Sequence, residues 1–504
     1  MAREGASPLP CASNHGEEPP LTLLGLDIGT THVKACAYDE DGRLLSSSRR
    51  RTPTTWLPGG GAEYDADSVG DATFGAAAEV ISATDPPQAI GVSSVGEAGF
   101  LLGDDGVAIA PAIAWFDGRA ARQAARWRER LDPRDLFSRT GLHPNPLFSA
   151  CKMEWTQQNA PDVWEQAVHW LGMAEYAVFR MTGGRGTDPS LAGRTMLYRL
   201  ADGEWDEELC ELAGIPLGML PAVYPSGAGP GRLSAEAARR LGAPEGVPVV
   251  VCGHDHICGS FGAGATGPGE IVDSMGTAEA SLLTLLNPPL DDAGYELGLP
   301  AGSHVLPRTY YLAATLPRSG GVIEHLVGLL GAEEEDLARW TEEAAALAPG
   351  SGGACLPPTD DDPNEDTLLM ASLNHQSSPA HLLRAVLEGL TLQMNHDLGR
   401  AIEVSGAEPT RITLLGGGAT NPLWAKLKAD ISDLPVRVVS DPECVARGAA
   451  MLAGVSAGVY PDTGSVPPPE YEASIEPSGE RFEYDRIFAD FYGPLRERAG
   501  RSGA

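Results

Sequence analysis

The chain has 504 residues and a formal net charge of −33, because 69 acidic side chains outnumber 36 lysines and arginines. Proteins that bind nucleic acids or anionic membrane surfaces need clustered cations, so this composition argues against both kinds of partner. Domains of roughly 100–200 residues make two to four domains the expected number. The eight cysteines are scattered without C-x-x-C spacing, which is unlike a disulfide framework.

Two kinds of segment are missing from the sequence. The first twenty residues lack the apolar core of a signal peptide, and no apolar stretch approaches the roughly 18 residues that cross a membrane. We therefore expect a disordered tail over residues 1–20 and a cytoplasmic protein.

The ordered chain begins with a pattern that recurs far downstream. Residues 21–26 form an apolar run that leads into Asp27 and a Gly-Thr turn, and residues 32–38 then alternate toward an acidic turn that ends at Gly42. This pattern predicts a β-hairpin. Residues 269–278 repeat the order of an apolar run, an aspartate and a Gly-Thr turn. The repetition predicts two halves of related architecture.

Strands and helices are expected to alternate between and after these turns. Residues 89–93 and 247–252 have the composition of strands, whereas 118–130 and 162–180 are typical of helices. Ser378 and Pro379 predict the start of a helix, 411–415 a buried strand, and Asn421 with Pro422 the cap of a helix over 423–432. This alternation indicates the α/β class. We place the domains at 21–247 and 248–460, followed over 461–504 by a Pro-rich surface segment and a short helix.

Two of the candidate sites in the sequence have weak support. Residues 262–267 satisfy the dinucleotide pattern G-x-G-x-x-G, but they do not directly follow a strand, and Pro268 prevents a helix immediately behind them. Residues 252–258 place four metal-ligating side chains at every second position. An extended chain would spread them over about 20 Å, which is too far for one metal ion. A Gly-rich connection and a buried segment beside a functional carboxylate are the favoured interpretations.

The two Gly-Thr turns and Asp255 form a stronger set. Gly-rich turns expose N–H groups that bind phosphate oxygens, and an adjacent aspartate can hold Mg²⁺, so two such turns could clamp a nucleoside triphosphate. None of the four lysines follows a glycine, which excludes a P-loop. Asp255, at the end of an apolar run, is placed as a general base for phosphoryl transfer.

Seven short motifs stand in order along the chain: LDIGTTHVK (26–34), WFDGR (115–119), TDPSLAGRT (187–195), GHD (253–255), GT (276–277), GGGATNPLW (416–424) and ECVARGAA (443–450). Together they resemble the FGGY family of carbohydrate kinases, which includes xylulokinases and glycerol kinases. The resemblance covers residues 20 to about 460. It implies a two-domain, actin-like (ribonuclease H-like) ATPase fold with duplicated halves around a central cleft.

The resemblance also implies roles for individual residues. Asp255 matches the family's catalytic base, and Asp27 its Mg²⁺-associated carboxylate. Three groups of residues are implied to bind ATP. The first Gly-Thr turn and a nearby cation comprise Gly29, Thr30, Thr31 and Lys34, and the second Gly-Thr turn comprises Gly276 and Thr277. The residues implied to lie near adenosine are Gly320, Gly418, Ala419 and Asn421.

The expected substrate is a small sugar or polyol, with Glu97, Trp115, Asp117 and His256 expected to line its site beside Asp255. Glu97 stands where xylulokinases carry a histidine and glycerol kinases a glutamate, and Leu147 replaces an aromatic residue of glycerol kinases. Neither xylulose nor glycerol is therefore assigned, and a ketose such as a pentulose or a polyol is expected. The rival hypothesis is a catalytically silent homologue that binds sugar or nucleotide as a regulator. A homodimer is left open.

Overall fold

The computed structural model describes residues 21–353, 373 and 375–494. Residues 21–262 contain fifteen strands. These are β1 (Leu23–Ile28), β2 (His32–Tyr38), β3 (Leu44–Arg51), β4 (Thr54–Trp56), β5 (Ala62–Tyr64), β6 (Ala89–Ser94), β7 (Gly99–Leu102), β8 (Ala112–Ile113), β9 (His169–Gly172), β10 (Gly186–Thr187), β11 (Tyr198–Arg199), β12 (Glu204–Trp205), β13 (Ala222–Val223), β14 (Gly231–Arg232) and β15 (Pro248–His254). The α-helices of this half are α1 (Ala66–Ser82), α2 (Ala121–Arg130), α3 (Pro133–Thr140), α4 (Ser149–Asn159), α5 (Pro161–Trp164), α6 (Met173–Thr182), α7 (Pro189–Gly193), α8 (Glu207–Ala213), α9 (Ala235–Leu241) and α10 (Asp255–Gly262).

The second half is built around another sheet. Its strands are β16 (Glu270–Met275), β17 (Glu279–Leu285), β18 (Ala301–Ser303), β19 (Tyr310–Leu316), β20 (Arg411–Leu415), β21 (Val436–Val439) and β22 (Tyr471–Ile475). Its α-helices are α11 (Asp292–Leu297), α12 (Gly320–Leu329), α13 (Glu334–Ala345), α14 (Pro379–Ser405), α15 (Pro422–Ser432), α16 (Cys444–Ser456) and α17 (Arg481–Ile487).

The two large sheets repeat one topology. The first has the order β14-β15-β6-β1-β2-β3 and the second the order β18-β19-β17-β16-β20-β21-β22. In each sheet the first strand of the half (β1 or β16) pairs antiparallel with the next strand, across a short turn, and parallel with a later strand (β6 or β20). Parallel partners require a longer crossover, which contains helices in both halves. The predicted hairpin and the duplicated halves are thus present.

Local signals in the sequence account for several helix starts. Ser378 has the extended backbone of an N-cap residue and Pro379 occupies the first turn of α14. The Asn421 side chain accepts a hydrogen bond from the Trp424 N–H at the start of α15, again with a proline in the first turn. These starts are as predicted, because capping depends on neighbours in the sequence.

Three boundaries differ from the sequence-based expectation. β15, which we expected to open the second half, pairs parallel with β6 in the first sheet. Its Val249–Val251 run is buried there, so the strand completes the first core. The helix expected over 162–180 is interrupted by β9, which pairs with β7, and the surface segment 461–482 contains β22, which pairs with the sheet edge at β21. The tail 1–20 lies outside the described residues, as do 495–504.

Helix α16 connects the two halves of the chain. Although it follows β21 in sequence, it packs on α10 and on β1, β2, β6 and β15 of the first sheet. Glycines permit the close approach: a Cβ atom at Gly25 would lie 1.8 Å from the Ala446 carbonyl oxygen, and one at Gly91 2.0 Å from that of Ala449. No helix among the described residues combines the length and the hydropathy of a membrane span.

Candidate active site

The first Gly-Thr turn follows β1 and is held by neighbouring side chains. The Gly29 N–H donates to the His32 carbonyl oxygen at 3.1 Å, and the Thr52 hydroxyl donates to the Gly29 carbonyl oxygen at 2.7 Å. The Trp115 indole N–H donates to the Thr30 hydroxyl at 2.8 Å, while Thr31 is exposed. Trp115 therefore contacts the expected phosphate-binding turn, a role that its motif did not reveal.

Asp27 lies on β1 just before this turn, and its carboxylate is in an unusual environment. Burial raises the pKa of Asp27 to about 7, with opposing stabilisation from Lys34 and repulsion from Asp255 and Glu443. Lys34 Nζ lies 4.0 Å from Asp27 Oδ2 and 2.6 Å from Glu443 Oε2. Asp27 Oδ1 is buried and has no hydrogen-bond partner among the described residues. The carboxylates of Asp27 and Glu443 thus share one ammonium group, and the buried Oδ1 of Asp27 is left without a partner among the described residues.

This arrangement fits a divalent cation. Mg²⁺ prefers oxygen ligands and is usually bound by one or two carboxylates together with water and phosphate oxygens, so a single free carboxylate oxygen suits it. In residues 21–353, 373 and 375–494, no group of three or more His, Cys, Asp and Glu side chains has metal-binding geometry. In the 252–258 segment, the Cys252 thiol donates instead to the Ala449 carbonyl oxygen and that of Cys258 to the Val445 carbonyl oxygen.

Asp255 is the first residue of α10, at the end of β15. The His254 N–H before it donates to the Ser190 hydroxyl at 2.9 Å, and Ser190 in turn bonds to the carboxylate of Asp188. Gly253 has a φ of 112° and no room for a Cβ atom, which would lie 2.6 Å from the Ser190 hydroxyl oxygen. The TDPS motif and the GHD motif therefore form one support that fixes the start of α10.

The Asp255 carboxylate itself remains accessible, with 20% of its side chain exposed. Its Oδ1 accepts a hydrogen bond from the His256 N–H at 2.7 Å and lies 3.2 Å from His254 Nδ1, without hydrogen-bond geometry. Burial lowers the pKa of His254 to about 3, so this imidazole is neutral. The His256 ring is exposed and stacks on that of His254 at 5.6 Å. The adjacent imidazole therefore gives the Asp255 carboxylate no cationic partner.

Glu97 is paired with an arginine that sequence reasoning missed. Glu97 is buried with a left-handed φ of 62°, and its Oε1 accepts a hydrogen bond from Arg194 Nε at 2.6 Å and forms an ion pair with Arg194 Nη2 at 2.5 Å. The Arg194 guanidinium lies 5.1 Å from the Phe148 ring and interacts with the Tyr311 phenol on β19. Arg194 therefore joins the Glu97 loop to the second sheet. It lies within the 187–195 motif, but no spacing rule pairs it with Glu97.

Asp117, which is expected at the substrate, and the nearby buried Lys152 are both bound to protein groups. Asp117 Oδ2 accepts from the Ala62 N–H at 2.8 Å and both its oxygens bind Arg119. Burial opposes ionisation of Asp117, but these hydrogen bonds lower its pKa overall. Lys152 Nζ donates to the carbonyl oxygens of Trp115 at 3.0 Å and Leu147 at 2.6 Å, and burial lowers its pKa to about 7. A role of Asp117 at the substrate stays a prediction.

The second Gly-Thr turn lies between β16 and β17 and contacts the start of α12. Gly276 and Thr277 are exposed, and their carbonyl oxygens accept hydrogen bonds from the N–H groups of Gly320 at 3.0 Å and Ser319 at 2.9 Å. A Cβ atom at Gly320 would lie 2.5 Å from the Gly276 oxygen, so only glycine fits this contact. The structure thus brings the second turn and Gly320 together, as the predicted nucleotide site requires.

The remaining predicted nucleotide residues lie in the segment between β20 and α15. A Cβ atom at Gly418 would lie 2.9 Å from the Met275 Cβ, at the end of β16, and Ala419 is buried. Asn421 caps α15 and its amide nitrogen lies 3.4 Å from the Thr341 hydroxyl. Its side-chain oxygen is therefore used within the protein, and its contact with adenosine stays a prediction.

Comparisons with known proteins agree with this arrangement. Residues 22–262 match the N-terminal domain and residues 272–457 the C-terminal domain of the FGGY family of carbohydrate kinases. L-fuculokinase from Salmonella typhi is 28% identical over 453 residues, which cover 87% of this chain and 93% of that protein. Glycerol kinase from Thermus brockianus is 31% identical over 86% of this chain and 90% of that protein.

A solved structure supports the fold assignment as well. Xylulose kinase from Rhodospirillum rubrum superposes with a TM-score of 0.86 at 27% identity, covering 93% of this chain and 97% of that one. The expected two-domain, actin-like architecture and the expected class of enzyme are thereby confirmed. The chain belongs to the FGGY family of carbohydrate kinases, enzymes that transfer a phosphoryl group to a hydroxyl group.

Proposed function

We propose that this kinase uses ATP and Mg²⁺ to phosphorylate a hydroxyl group of a neutral small sugar or polyol, with Asp255 as the general base. The observation that carries the proposal is the partly exposed Asp255 carboxylate, which is fixed at the start of α10 and close enough to Asp27 to raise the pKa of that group. A base beside a cation-binding carboxylate is the arrangement that phosphoryl transfer to an alcohol needs.

Each step of the proposed reaction is assigned to residues described above. The two Gly-Thr turns hold the phosphates, and Mg²⁺ bound beside Asp27 would neutralise phosphate charge. Asp255 accepts the proton of the attacking hydroxyl as the new O–P bond forms and the bond to the leaving ADP oxygen breaks. Closure of the halves over the substrate excludes water, which would otherwise accept the phosphoryl group.

The charges around Glu97 favour a neutral substrate. Three cationic side chains among the described residues on this side of the site are bound within the protein: Arg194 by the Glu97 carboxylate, Arg119 by Asp117 and Glu63, and Lys152 by two backbone carbonyl oxygens. A carboxylate on the substrate would find Glu97 and Asp255 without a free positive partner. Hydroxyl groups can instead donate to these carboxylates, which suits a ketose such as a pentulose, a related deoxy sugar, or a polyol.

A substrate panel tests the activity directly. L-fuculose, D-xylulose, glycerol and gluconate, supplied with ATP and Mg²⁺ in an assay of ADP release, should give turnover with a neutral compound and not with gluconate. The relatives named above are kinases of L-fuculose, glycerol and xylulose. Absence of turnover with every sugar and polyol tested, together with retained nucleotide binding, would favour the regulatory homologue.

The base is tested by Asp255→Asn. Loss of a general base costs roughly 10²- to 10⁴-fold in turnover, whereas ADP binding should stay within about twofold because the amide keeps the size of the side chain. Asp162→Asn, at an exposed carboxylate on α5, is the matched control and should retain full activity. Unchanged turnover in the Asp255 variant would refute its role.

A further inference from the structure

A buried lysine binds both strands that flank the second Gly-Thr turn and has no part in the mechanism described so far. Lys428 is on α15, and only 3% of its side chain is exposed. Its Nζ lies 2.7 Å from Asp273 Oδ2 on β16 and also binds Glu279 Oε1 at the start of β17. The Ser281 hydroxyl donates to the other Asp273 oxygen at 2.8 Å. One ammonium group therefore holds together the two strands that flank the turn.

The network extends from this lysine to the turn itself. The Ser319 hydroxyl donates to Glu279 Oε2 at 2.5 Å, and the Ser319 N–H donates to the Thr277 carbonyl oxygen at 2.9 Å. Ser319 is the N-cap position of α12 and is fully buried. A continuous path of polar contacts thus runs from Lys428 through Glu279 and Ser319 to the exposed turn.

The two Gly-Thr turns differ in how their aspartates are used. Asp27 lies beside Lys34, which also pairs with Glu443, whereas Asp273 is bound by Lys428 on α15. Within the described part of the chain, Asp27 keeps a buried oxygen without a hydrogen-bond partner, while both oxygens of Asp273 are bonded within the protein. The carboxylate of Asp27 can therefore receive an external cation, whereas that of Asp273 is already paired with the ammonium group of Lys428.

The lysine is charged in this position. Burial alone would lower the pKa of Lys428, but the carboxylates of Asp273 and Glu279 raise it above the ordinary value. Removing the ammonium group would leave two carboxylates facing each other in the protein interior, and a buried charge that loses its partner is strongly unfavourable. Relief would come partly from protonation of Glu279, whose pKa burial already raises, and partly from movement of β17 and Ser319, which flank the turn.

We propose that Lys428 is a positioning residue for nucleotide binding, which fixes the second Gly-Thr turn and the start of α12 through Glu279 and Ser319. The inference rests on the proposed function, because that function assigns the turn to the phosphates. Lys428 does not touch the nucleotide in this account. Its effect should appear in the affinity for nucleotide and in the local order of the turn.

The test compares Lys428→Met with a matched variant elsewhere in the same half. Methionine keeps the length of the side chain and removes its charge. Arg384→Met removes another buried cation, on α14, which pairs with Glu388 at 2.8 Å and binds Tyr484. Both variants lose a buried ion pair, but only Lys428 is connected to the turn. Measurements are made at a temperature where near-ultraviolet circular dichroism shows each protein to be folded.

Two readouts are used, equilibrium binding of ADP with Mg²⁺ and hydrogen exchange of the backbone over 276–279 and 319–322. Lys428→Met should weaken ADP binding roughly 10- to 100-fold and speed exchange in these segments, with sugar affinity unchanged. Arg384→Met should change neither. If Lys428→Met does not fold, Ser319→Ala interrupts the same path without an uncompensated charge and should weaken ADP binding by several-fold.

The outcomes separate this inference from the proposed function. A wild-type protein that fails to bind ADP would overturn the proposed function and the nucleotide role of the turn together. A wild type that binds ADP, with a folded Lys428→Met variant that binds it equally well and exchanges at the same rate, would overturn the positioning role alone. An equal loss of affinity in Arg384→Met would show a general effect of stability and would also overturn it.

Discussion

Glu175 allows a pH-dependent test of protein stability near the residues that support Asp255. It lies on α6, where its Oε1 accepts a hydrogen bond from the Thr187 hydroxyl at 2.7 Å and its Oε2 is buried without a partner among the described residues. Burial raises the pKa of Glu175 from 4.5 to about 7. Thr187 precedes Asp188, which binds Ser190 and through it His254. Burial opposes ionisation of Glu175 although the Thr187 hydrogen bond favours it, so ionisation costs stability next to the support of α10.

The sign and size of the effect follow from linkage. Because the folded protein binds this proton more tightly than the unfolded chain, the stabilising contribution is complete below pH 4.5 and is lost as the pH rises to about 7. That interval corresponds to about 3 kcal/mol in the free energy of unfolding. Glu175→Gln imitates the protonated side chain, so it should stabilise the protein by up to about 3 kcal/mol at pH 8 and by little below pH 5.

Urea unfolding followed by tryptophan fluorescence at pH 5 and pH 8 measures this difference. Glu165→Gln, at an exposed glutamate after α5, is the control and should alter stability by less than about 0.5 kcal/mol at either pH. The reasoning fails if Glu175→Gln changes the free energy of unfolding equally at the two pH values.

Two further predictions concern packing and thiol chemistry. Gly25→Ala should destabilise the protein on the order of 3 kcal/mol, because its Cβ would lie 1.8 Å from the Ala446 oxygen. The control Gly399→Ala, on α14, meets no atom within 4 Å and should stabilise the protein by roughly 0.5–1 kcal/mol. Urea unfolding measures both variants, and equal effects would contradict the close packing of α16. Burial raises the pKa of the thiols of Cys36, Cys151, Cys210, Cys252, Cys258 and Cys444. Iodoacetamide should therefore label none of these six in the native protein at pH 8, as peptide mass spectrometry would show, and rapid labelling of any of them would contradict their burial.

Much of the fold was predictable because its signals are local. The apolar run before Asp27, the caps at Ser378 and Asn421 and the strand at 411–415 each depend on neighbouring residues, and each has its expected structure. The repeated turn predicted the duplicated topology, and the order of seven motifs predicted the family.

The remaining features depend on contacts between distant residues. Residues 169–172 lie within the helix expected over 162–180, but pairing with β7 makes them a strand. β15 joins the first sheet because β6 is its parallel partner, although its sequence alone suits either half. Arg194 meets Glu97 97 residues away, and Lys428 meets Glu279 149 residues away, so neither pair has a sequence signature. The individual site roles stay predictions for the same reason.

The position of α16 has a consequence for synthesis of the chain on the ribosome. The first sheet and α10 are complete in sequence at Gly262, yet β1 and β6 pack at Gly25 and Gly91 against α16, which begins at Cys444. At roughly 5–20 residues per second, the intervening segment of about 180 residues takes roughly 10–40 s to emerge. During that time the first half exposes an apolar groove shaped for a helix, so a fragment that ends at Gly262 should need a chaperone to remain in solution.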